Sequence, residues 1–457
     1  MSLTESSPLE IALSAAEASR ELAVLPATAR NDALTAIYEG LKREKEAILR
    51  ANAEDVASAT RAVENGELSE SILKRLDLNR PGKYDDMLQG ILDVRALEDP
   101  VGKISLRTLL DDDLVLERIS CPIGVLLIIF EARPEVIANI AALAIKSGNS
   151  AILKGGKEST ASFVAISEAI SAAVSSTSVP NTSIQLVKTR DVILPLLSQD
   201  RHIDLVIPRG SNDLVRFVKS NTKIPVLGHA DGICSLYLRP DADLAMAIKV
   251  IVDSKTGYPA ACNSLECLLV DSEALSTLLP LVANALFSKG VVLRCDPASK
   301  AAIQPTLPPN YAHLLQDSTD SDYGKEFLDL ILAVKTISPT PLGSSLDAAI
   351  SHINAHSSKH TDVILTSSKE TAERFLKGVD SAGVFWNASS RMSDGMRYGF
   401  GAEIGISTNK IHSRGPVGLE GLTIYKYLIR GNGQAAGDYH QGAEGRQWKH
   451  QKLDITN

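Results

Sequence analysis

Gly124-Val-Leu-Leu-Ile-Ile-Phe130 is a continuous apolar run of the kind a parallel strand needs when helices cover both of its faces. Pro134, shortly beyond it, suits the first turn of a helix, because a proline nitrogen there forfeits no hydrogen bond. Val136, Ile137, Ile140, Ala144 and Ile145 then recur at helical spacing, and Gly148-Asn149 stops the pattern. Ala151-Ile-Leu153 reads as a second strand, and a helix is predicted from Ser159 to Ala173. Ile184-Gln-Leu-Val187, Leu205-Val-Ile207 and Val226-Leu227 read as further short strands separated by helical segments. Strand–helix–strand alternation at this spacing predicts an α/β protein with a doubly wound sheet.

Towards the N-terminus, residues 9 to 64 read as helix. Leu34, Ile37, Tyr38, Leu41, Ile48, Leu49 and Val56 form one apolar stripe, Pro26 divides the stretch into at least two helices, and Asn65-Gly66 ends it. Ile104-Ser-Leu-Arg-Thr-Leu-Leu110 and Leu114-Val-Leu-Glu-Arg-Ile119 flank Asp111-Asp112-Asp113, the pattern of an antiparallel hairpin with a charged tip. Such a hairpin either pairs with a partner subunit or is a surface flap. Towards the C-terminus, Asp243 to Lys255 is predicted helical, Thr256-Gly-Tyr-Pro259 is a breaker, and Glu266-Cys-Leu-Leu-Val270 is a strand. Residues 296–324 read as an irregular connection, residues 327–386 as a third α/β section, and residues 431–457 as an extended or frayed tail.

The composition is that of an ordinary globular chain. It has 457 residues, 44% hydrophobic and 22% charged, enough for two or three domains. With 47 basic and 55 acidic side chains the formal charge is −8, which speaks against a nucleic-acid binder. No apolar run approaches the roughly 20 residues of a membrane span, and the first residues carry an acid and no basic segment. A soluble, cytoplasmic protein is expected. Its five cysteines include no C-x-x-C pair, so neither a disulfide framework nor a zinc ribbon is indicated.

The common dinucleotide, triphosphate and hydrolase fingerprints are absent from the chain. Phosphates nevertheless need only helix N-termini and backbone amides, and two turns offer them. Lys154-Gly155-Gly156-Lys157 follows a strand and opens a helix. Its glycines allow close backbone approach, and its lysines suit a ribose 2′-phosphate better than a carboxylate would. Pro208-Arg209-Gly210-Ser211-Asn212 likewise joins strand to helix. Ordinary tight turns with solvated lysines are the other reading of both. His352, His356 and His360 stand four apart, but the strand-like Thr361-Asp-Val-Ile-Leu365 puts His360 beyond the helix end, so no metal site is expected of them. Cys121, Cys234, Cys267 and Cys295 read as packing residues. Cys262, in the loop Gly257-Tyr-Pro-Ala-Ala-Cys-Asn-Ser264 between a helix and a strand, is placed to act as a nucleophile or simply to pack.

Taken together these segments resemble the aldehyde dehydrogenase superfamily, and within it the gamma-glutamyl phosphate reductase family. The resemblance runs from Leu73-Lys-Arg-Leu-Asp77 to Gly415-Pro-Val-Gly418. It rests on Phe130-Glu-Ala-Arg-Pro-Glu135, Lys146-Ser-Gly-Asn149, Lys154-Gly-Gly-Lys-Glu158, Pro208-Arg-Gly-Ser211, Gly228-His-Ala-Asp-Gly232 and Tyr258-Pro-Ala-Ala-Cys-Asn263. To these are added His360-Thr-Asp362, Trp386-Asn-Ala-Ser389 and Tyr398-Gly-Phe-Gly-Ala-Glu-Ile-Gly405. It implies reduction of L-glutamate 5-phosphate by NADPH to glutamate 5-semialdehyde, the second step of proline synthesis from glutamate, through a thioester on Cys262.

The resemblance also implies roles for other residues. Aldehyde-oxidising members hold the oxyanion with an asparagine in the loop that here reads Glu131-Ala132-Arg133; backbone amides near Cys262, or Asn263, are the substitutes. Their hydrolytic glutamate aligns with His229, either a proton-transfer group or a structural histidine. Lys154 falls at the adenosine ribose and Lys157 where NAD-preferring relatives carry a glutamate. Gly155, Gly156, Gly210 and Ser211 belong to the same cofactor surface, and Glu326 aligns with the residue that binds the nicotinamide ribose. Arg133, Arg391 and Arg397 are candidates for the substrate's anionic groups, each alternatively solvated or structural.

Three parts are expected: an NADP-binding domain of residues 1–102 and 120–242, a catalytic domain of residues 243–410, and an oligomerisation hairpin and C-terminal arm of residues 103–119 and 411–457. A homo-oligomer with a functional link to glutamate 5-kinase follows from the resemblance. A CoA-acylating aldehyde dehydrogenase and a catalytically silent scaffold of the same fold are the competing readings.

Overall fold

The computed structural model describes residues 2–455 apart from Ser69, Ala132, residues 189–191, Ala230, Leu342 and residues 441–444. The chain forms two compact units. The first comprises Met1–Leu227, Phe400–Gly405 and Val417–Asn457, and the second Gly228–Gly399 and Ile406–Pro416. The break therefore falls at Leu227, ahead of the expected residue 242, because strand Cys234–Leu238 hydrogen-bonds into the second unit's sheet.

In the first unit Val125–Phe130, buried along its whole length, lies inside a parallel sheet. The strand order is Ser2–Thr4, Ile184–Val187, Ser150–Gly155, Val125–Phe130, Leu205–Arg209. The chain steps outwards from Val125–Phe130 in one direction and returns with Leu205–Arg209 on its other side. That reversal point of a doubly wound sheet is where such folds bind ligands. The helix after Phe130 begins at Val136, two residues past Pro134, and ends at Lys146, with Gly148 just beyond it at φ +76°. There the Asn149 amide N–H reaches back to the Ala144 carbonyl at 2.8 Å. The Asn149 side chain accepts from the Gly124 N–H and donates to the Leu422 carbonyl, both at 2.8 Å, so the Lys146-Ser-Gly-Asn149 motif serves the fold.

Several expectations change. The helical stretch of residues 9–64 is three helices, Pro8–Leu22, Ala27–Arg43 and Lys45–Glu64. Glu44 breaks what had read as a single stripe. Val226 makes only an isolated bridge to Val206. Ser2–Thr4, unmarked by any pattern, is an edge strand.

The hairpin pairs as expected, Ile104–Asp111 with Leu114–Pro122. Its turn is Asp112-Asp113, whereas Asp111 is buried, paired with Arg446 and accepting from the Tyr439 hydroxyl at 2.9 Å. Thr423–Arg430 extends this sheet on one side and Gln451–Lys452 on the other. The C-terminal segment is therefore no frayed tail. Its strand pairing, the Arg446–Asp111 ion pair and the stacked rings of Tyr439 and Trp448, 3.7 Å between centroids, tie it down.

The second unit is built on a seven-stranded parallel sheet in the order Leu315–Asp317, Val292–Cys295, Ile331–Ile337, Leu265–Asp271, Cys234–Leu238, Thr361–Leu365, Gly383–Trp386. Residues 296–324 are more ordered than their prolines imply. They hold the helix Pro297–Ile303, capped by Asp296, and the edge strand Leu315–Asp317. Lys255, at the end of helix Leu244–Thr256, and Glu266 form a fully buried ion pair of 2.7 Å beneath the Cys262 loop. Among the described residues no helix is long and apolar enough to cross a membrane.

Candidate active site

Three neighbouring strands of the second unit, Leu265–Asp271, Cys234–Leu238 and Thr361–Leu365, run parallel. The residues just ahead of them therefore gather at one edge of the sheet. His229 precedes Cys234, Cys262 precedes Leu265, and His360 immediately precedes Thr361. Their ligand atoms all lie within 4.8 Å of one another. Glu326, ahead of the adjoining strand Ile331–Ile337, is near enough for its charge to act on His229.

Each side chain is held from behind. His229 Nδ1 lies 3.0 Å from the Ile406 carbonyl oxygen, so that nitrogen carries a proton and donates it. His360, fully buried, has Nδ1 2.9 Å from Thr361 Oγ1. Their rings meet edge to face with centroids 5.0 Å apart. Behind His360 the buried Asp362 accepts from the Ser235 N–H and from Ser357 Oγ, both at 2.8 Å, which locks the two strand starts together.

The Cys262 loop is a tight turn, with the Ala261 N–H on the Tyr258 carbonyl at 3.1 Å and the Ser264 N–H on the Ala261 carbonyl at 2.9 Å. Gly232 packs against the Cys262 backbone so closely that a Cβ would overlap the cysteine's carbonyl oxygen and Cα. That absence of a side chain lets the histidine loop and the cysteine loop touch.

Burial alone would push the Cys262 thiol upward. The charges of His360 and His229 outweigh it and hold the thiol well below its ordinary value. Reciprocally, burial depresses His229, but the Cys262 thiolate and the bond to Ile406 raise it to about 9. These mutual shifts favour a thiolate beside an imidazolium, the electrostatics a cysteine nucleophile requires. The other cysteines are driven the opposite way by burial: Cys267 and Cys295 to about 12, Cys234 well above its usual value and Cys121 upward.

Asn263 is engaged structurally. Its Nδ2 donates to the Ser393 carbonyl at 2.9 Å and its Oδ1 accepts from Arg391. Ser390 Oγ donates to the Asn263 carbonyl at 2.7 Å. The asparagine thus pins residues 389–393 to the cysteine loop and aims Arg391, whose guanidinium also lies 5.9 Å from the centre of the Tyr258 ring. Arg391 feels the charges of both Cys262 and Arg397, so these two arginines share the cysteine's surroundings. Arg397 pairs with Asp394 at 3.4 Å. Arg133 belongs to the first unit.

The expected cofactor residues lie at the carboxyl ends of the first unit's strands. Register places Lys154 beside Ile129, and both Gly155 and Arg209 beside Phe130. Lys154 Nζ donates to the Gly155 carbonyl at 2.6 Å, while Lys157 is exposed. A Cβ at Gly155 would collide with the Phe163 ring, so packing as much as ligand approach requires that glycine. Ser211 caps helix Asn212–Ser220, and its own N–H donates to Glu131 Oε2 at 2.8 Å. The carboxylate there marks the helix N-terminus as an anion-binding position. With Lys154 at the carboxyl end of strand Ser150–Gly155, one strand removed, and Lys157 in the turn after it, the residues fit a phosphate-bearing dinucleotide.

His360 is the member of the site whose role sequence reasoning missed. The usable signal is that His360 and Cys262 each stand just before a predicted strand, and adjacent parallel strands bring such positions together; the strand that follows His229, Cys234–Leu238, emerges only in the structure.

One unit with a cysteine between two histidines at the ends of parallel strands, and another whose parallel sheet has residues fitted for a dinucleotide, are the parts of a cysteine-dependent aldehyde dehydrogenase. A sequence model of the aldehyde dehydrogenase family matches residues 3–298. The probable gamma-glutamyl phosphate reductase of Schizosaccharomyces pombe is 53% identical over 428 residues, 94% of this chain and 93% of that protein. The gamma-glutamyl phosphate reductase of Saccharomyces cerevisiae is 49% identical, covering 98% and 99%. The crystal structure of gamma-glutamyl phosphate reductase from Thermotoga maritima superposes with a TM-score of 0.86 at 36% identity, over 94% of this chain and 100% of that one. The chain belongs to the aldehyde dehydrogenase family and, within it, to the gamma-glutamyl phosphate reductases.

Proposed function

We propose that the chain reduces L-glutamate 5-phosphate to L-glutamate 5-semialdehyde with NADPH, releasing phosphate. The carrying observation is the Cys262 thiolate held between His229 and His360 in a chain of this family. Cys262 Sγ forms a bond to the acyl carbon as the carbon–oxygen bond to phosphate breaks, and an imidazolium donates its proton to the departing oxygen. NADPH, when bound, supplies the hydride that takes the thioester to the thiohemiacetal. Collapse of that adduct breaks the carbon–sulfur bond and returns the thiolate, again stabilised by the two imidazoles. A histidine where oxidising relatives keep a hydrolytic glutamate protects the thioester from water.

Lys154, Lys157, Gly155, Gly156, Gly210 and Ser211 would hold the adenosine and phosphate end of the cofactor, with Ser211 exchanging Glu131 for a phosphate, and Glu326 would hold the nicotinamide ribose. Arg391, Arg397 and Arg133 are the cations for the substrate's anions. Asn263 enters as the residue that aims Arg391. The first unit would then be the cofactor domain, the second the catalytic domain, and the hairpin with the C-terminal segment an oligomerisation arm. An acyl phosphate hydrolyses readily, so a kinase such as glutamate 5-kinase must supply it close by, in the cytoplasm.

Phosphate dependence tests the reading. Purified protein given glutamate semialdehyde and NADP⁺ should form NADPH only when inorganic phosphate is present. Turnover with CoA in the absence of phosphate would overturn it.

A further inference from the structure

The nucleophile's surroundings have a second chemical capacity. Both imidazoles at Cys262 are tied through Nδ1 to protein oxygens, His229 to the Ile406 carbonyl at 3.0 Å and His360 to Thr361 Oγ1 at 2.9 Å. This is how metal-ligating histidines are oriented: one ring nitrogen is fixed by an outer partner and the other is turned inward as a ligand. His360 Nε2 is fully buried and has no hydrogen-bond partner among the described residues. A buried, unpaired nitrogen aimed at a thiolate is costly unless something fills the gap.

The three ligand atoms lie within 4.8 Å of one another. Ligands of a tetrahedral zinc ion, with Zn–S of about 2.3 Å and Zn–N of about 2.0–2.1 Å, lie roughly 3.4–3.6 Å apart. An inward adjustment of about 1 Å would close the set on such an ion.

We propose that Cys262, His229 and His360 form a chelating site for Zn²⁺, or a divalent ion of the same borderline-soft chemistry, occupied in competition with the acyl substrate. Two imidazoles and one thiolate make a donor set that such ions favour over Mg²⁺ or Ca²⁺. Three protein ligands leave a fourth position for water. The bound ion sits on the sulfur lone pair that must attack the acyl carbon, so metal and thioester exclude each other. Removing the ion restores the thiolate unchanged.

Co²⁺, which reports thiolate ligation and coordination number by absorbance, is the probe. Titrated into reduced, metal-free protein, it should produce a sulfur-to-cobalt charge-transfer band saturating at one ion per chain and erased by Zn²⁺. Cys262→Ser should abolish the band. His229→Asn and His360→Asn should each weaken Zn²⁺ binding by at least about tenfold, as loss of a ligand or its support generally does. Circular dichroism confirms that the variants are folded.

No band from protein whose Cys262 is still a free thiol, or a Zn²⁺ affinity in either histidine variant unchanged from that of the native protein, would overturn the chelate. Zn²⁺ binding without loss of turnover would overturn the competition. Because absorbance is read, failure here is distinguishable from failure of the phosphate-dependence test.

Discussion

The charges of His360 and His229 hold the Cys262 thiol low, so the geometry that brings those rings close matters as much as the sulfur. Gly232 is the narrowest point of that geometry, where any side chain would press on the Cys262 backbone. Backbone cannot yield as the end of a flexible side chain can. Gly232→Ala should therefore move the His229 loop off the cysteine and lower kcat at least about tenfold, an effect in the range attributed to one misplaced general acid–base group. Alkylation at neutral pH offers a separate readout. In the native protein iodoacetamide should modify Cys262 ahead of Cys121, Cys234, Cys267 and Cys295, whose thiols burial pushes up. In Gly232→Ala that selectivity should fall with kcat, as read by peptide mapping. Retained selectivity with lost turnover would place the defect elsewhere than at the thiolate.

At the scale of elements, the Lys255–Glu266 pair joins the end of helix Leu244–Thr256 to strand Leu265–Asp271, and between them runs the loop that carries Cys262. Glu266 also accepts from the Leu328 N–H at 3.3 Å, two residues from Glu326. Burial raises Glu266 to about 7 against the pull of Lys255 and lowers Lys255 against the pull of Glu266. Breaking such a pair on one side costs about 3–5 kcal/mol, because a charge is left unmatched. Lys255→Met should show that loss in urea unfolding. A carboxyl raised in the folded state gives stability below its unfolded pKa and loses it as pH rises through the folded value. The deficit should therefore be larger at about pH 8 than at about pH 5. Adding Glu266→Gln, which keeps an acceptor for Leu328, should recover most of it. Additive losses in the double variant would mean that the two groups do not interact.

The same scale shows what the residues disclosed in advance. Val125–Phe130, helix Val136–Lys146 and strand Leu265–Asp271 were legible because their apolar periods match their elements. The break at Glu44 was not, since no proline or glycine marks it and the stripe continues in phase. Ser2–Thr4 has too few residues to show a period. In the site, Cys262 stood out by its loop. His360 did not, because its partners lie far off in sequence and only the order of parallel strands makes them neighbours.

For the whole molecule, the first unit presents a sheet edge that no strand among the described residues pairs with. Strand Thr423–Arg430 pairs with Leu114–Pro122 on one side and ends the four-stranded sheet on the other. Tyr425, Tyr427 and Ile429 alternate along it on one face and are 51%, 55% and 61% exposed. Arg118 lies 5.0 Å from the centre of the Tyr425 ring, and Tyr427 packs edge-on to it. A long edge strand with an apolar row attracts another strand unless charge or proline guards it. The row here carries neither at 425, 427 or 429. If the proposed oligomerisation arm associates through this edge, placing lysines in the row should abolish the association. Tyr427→Lys with Ile429→Lys is expected to reduce the mass measured by light scattering to that of a single chain, while Cys262 keeps its selective alkylation because the second unit holds that site by itself. An unchanged mass would assign assembly to another surface. A loss of alkylation selectivity along with the mass would mean that the thiolate geometry depends on the assembled state.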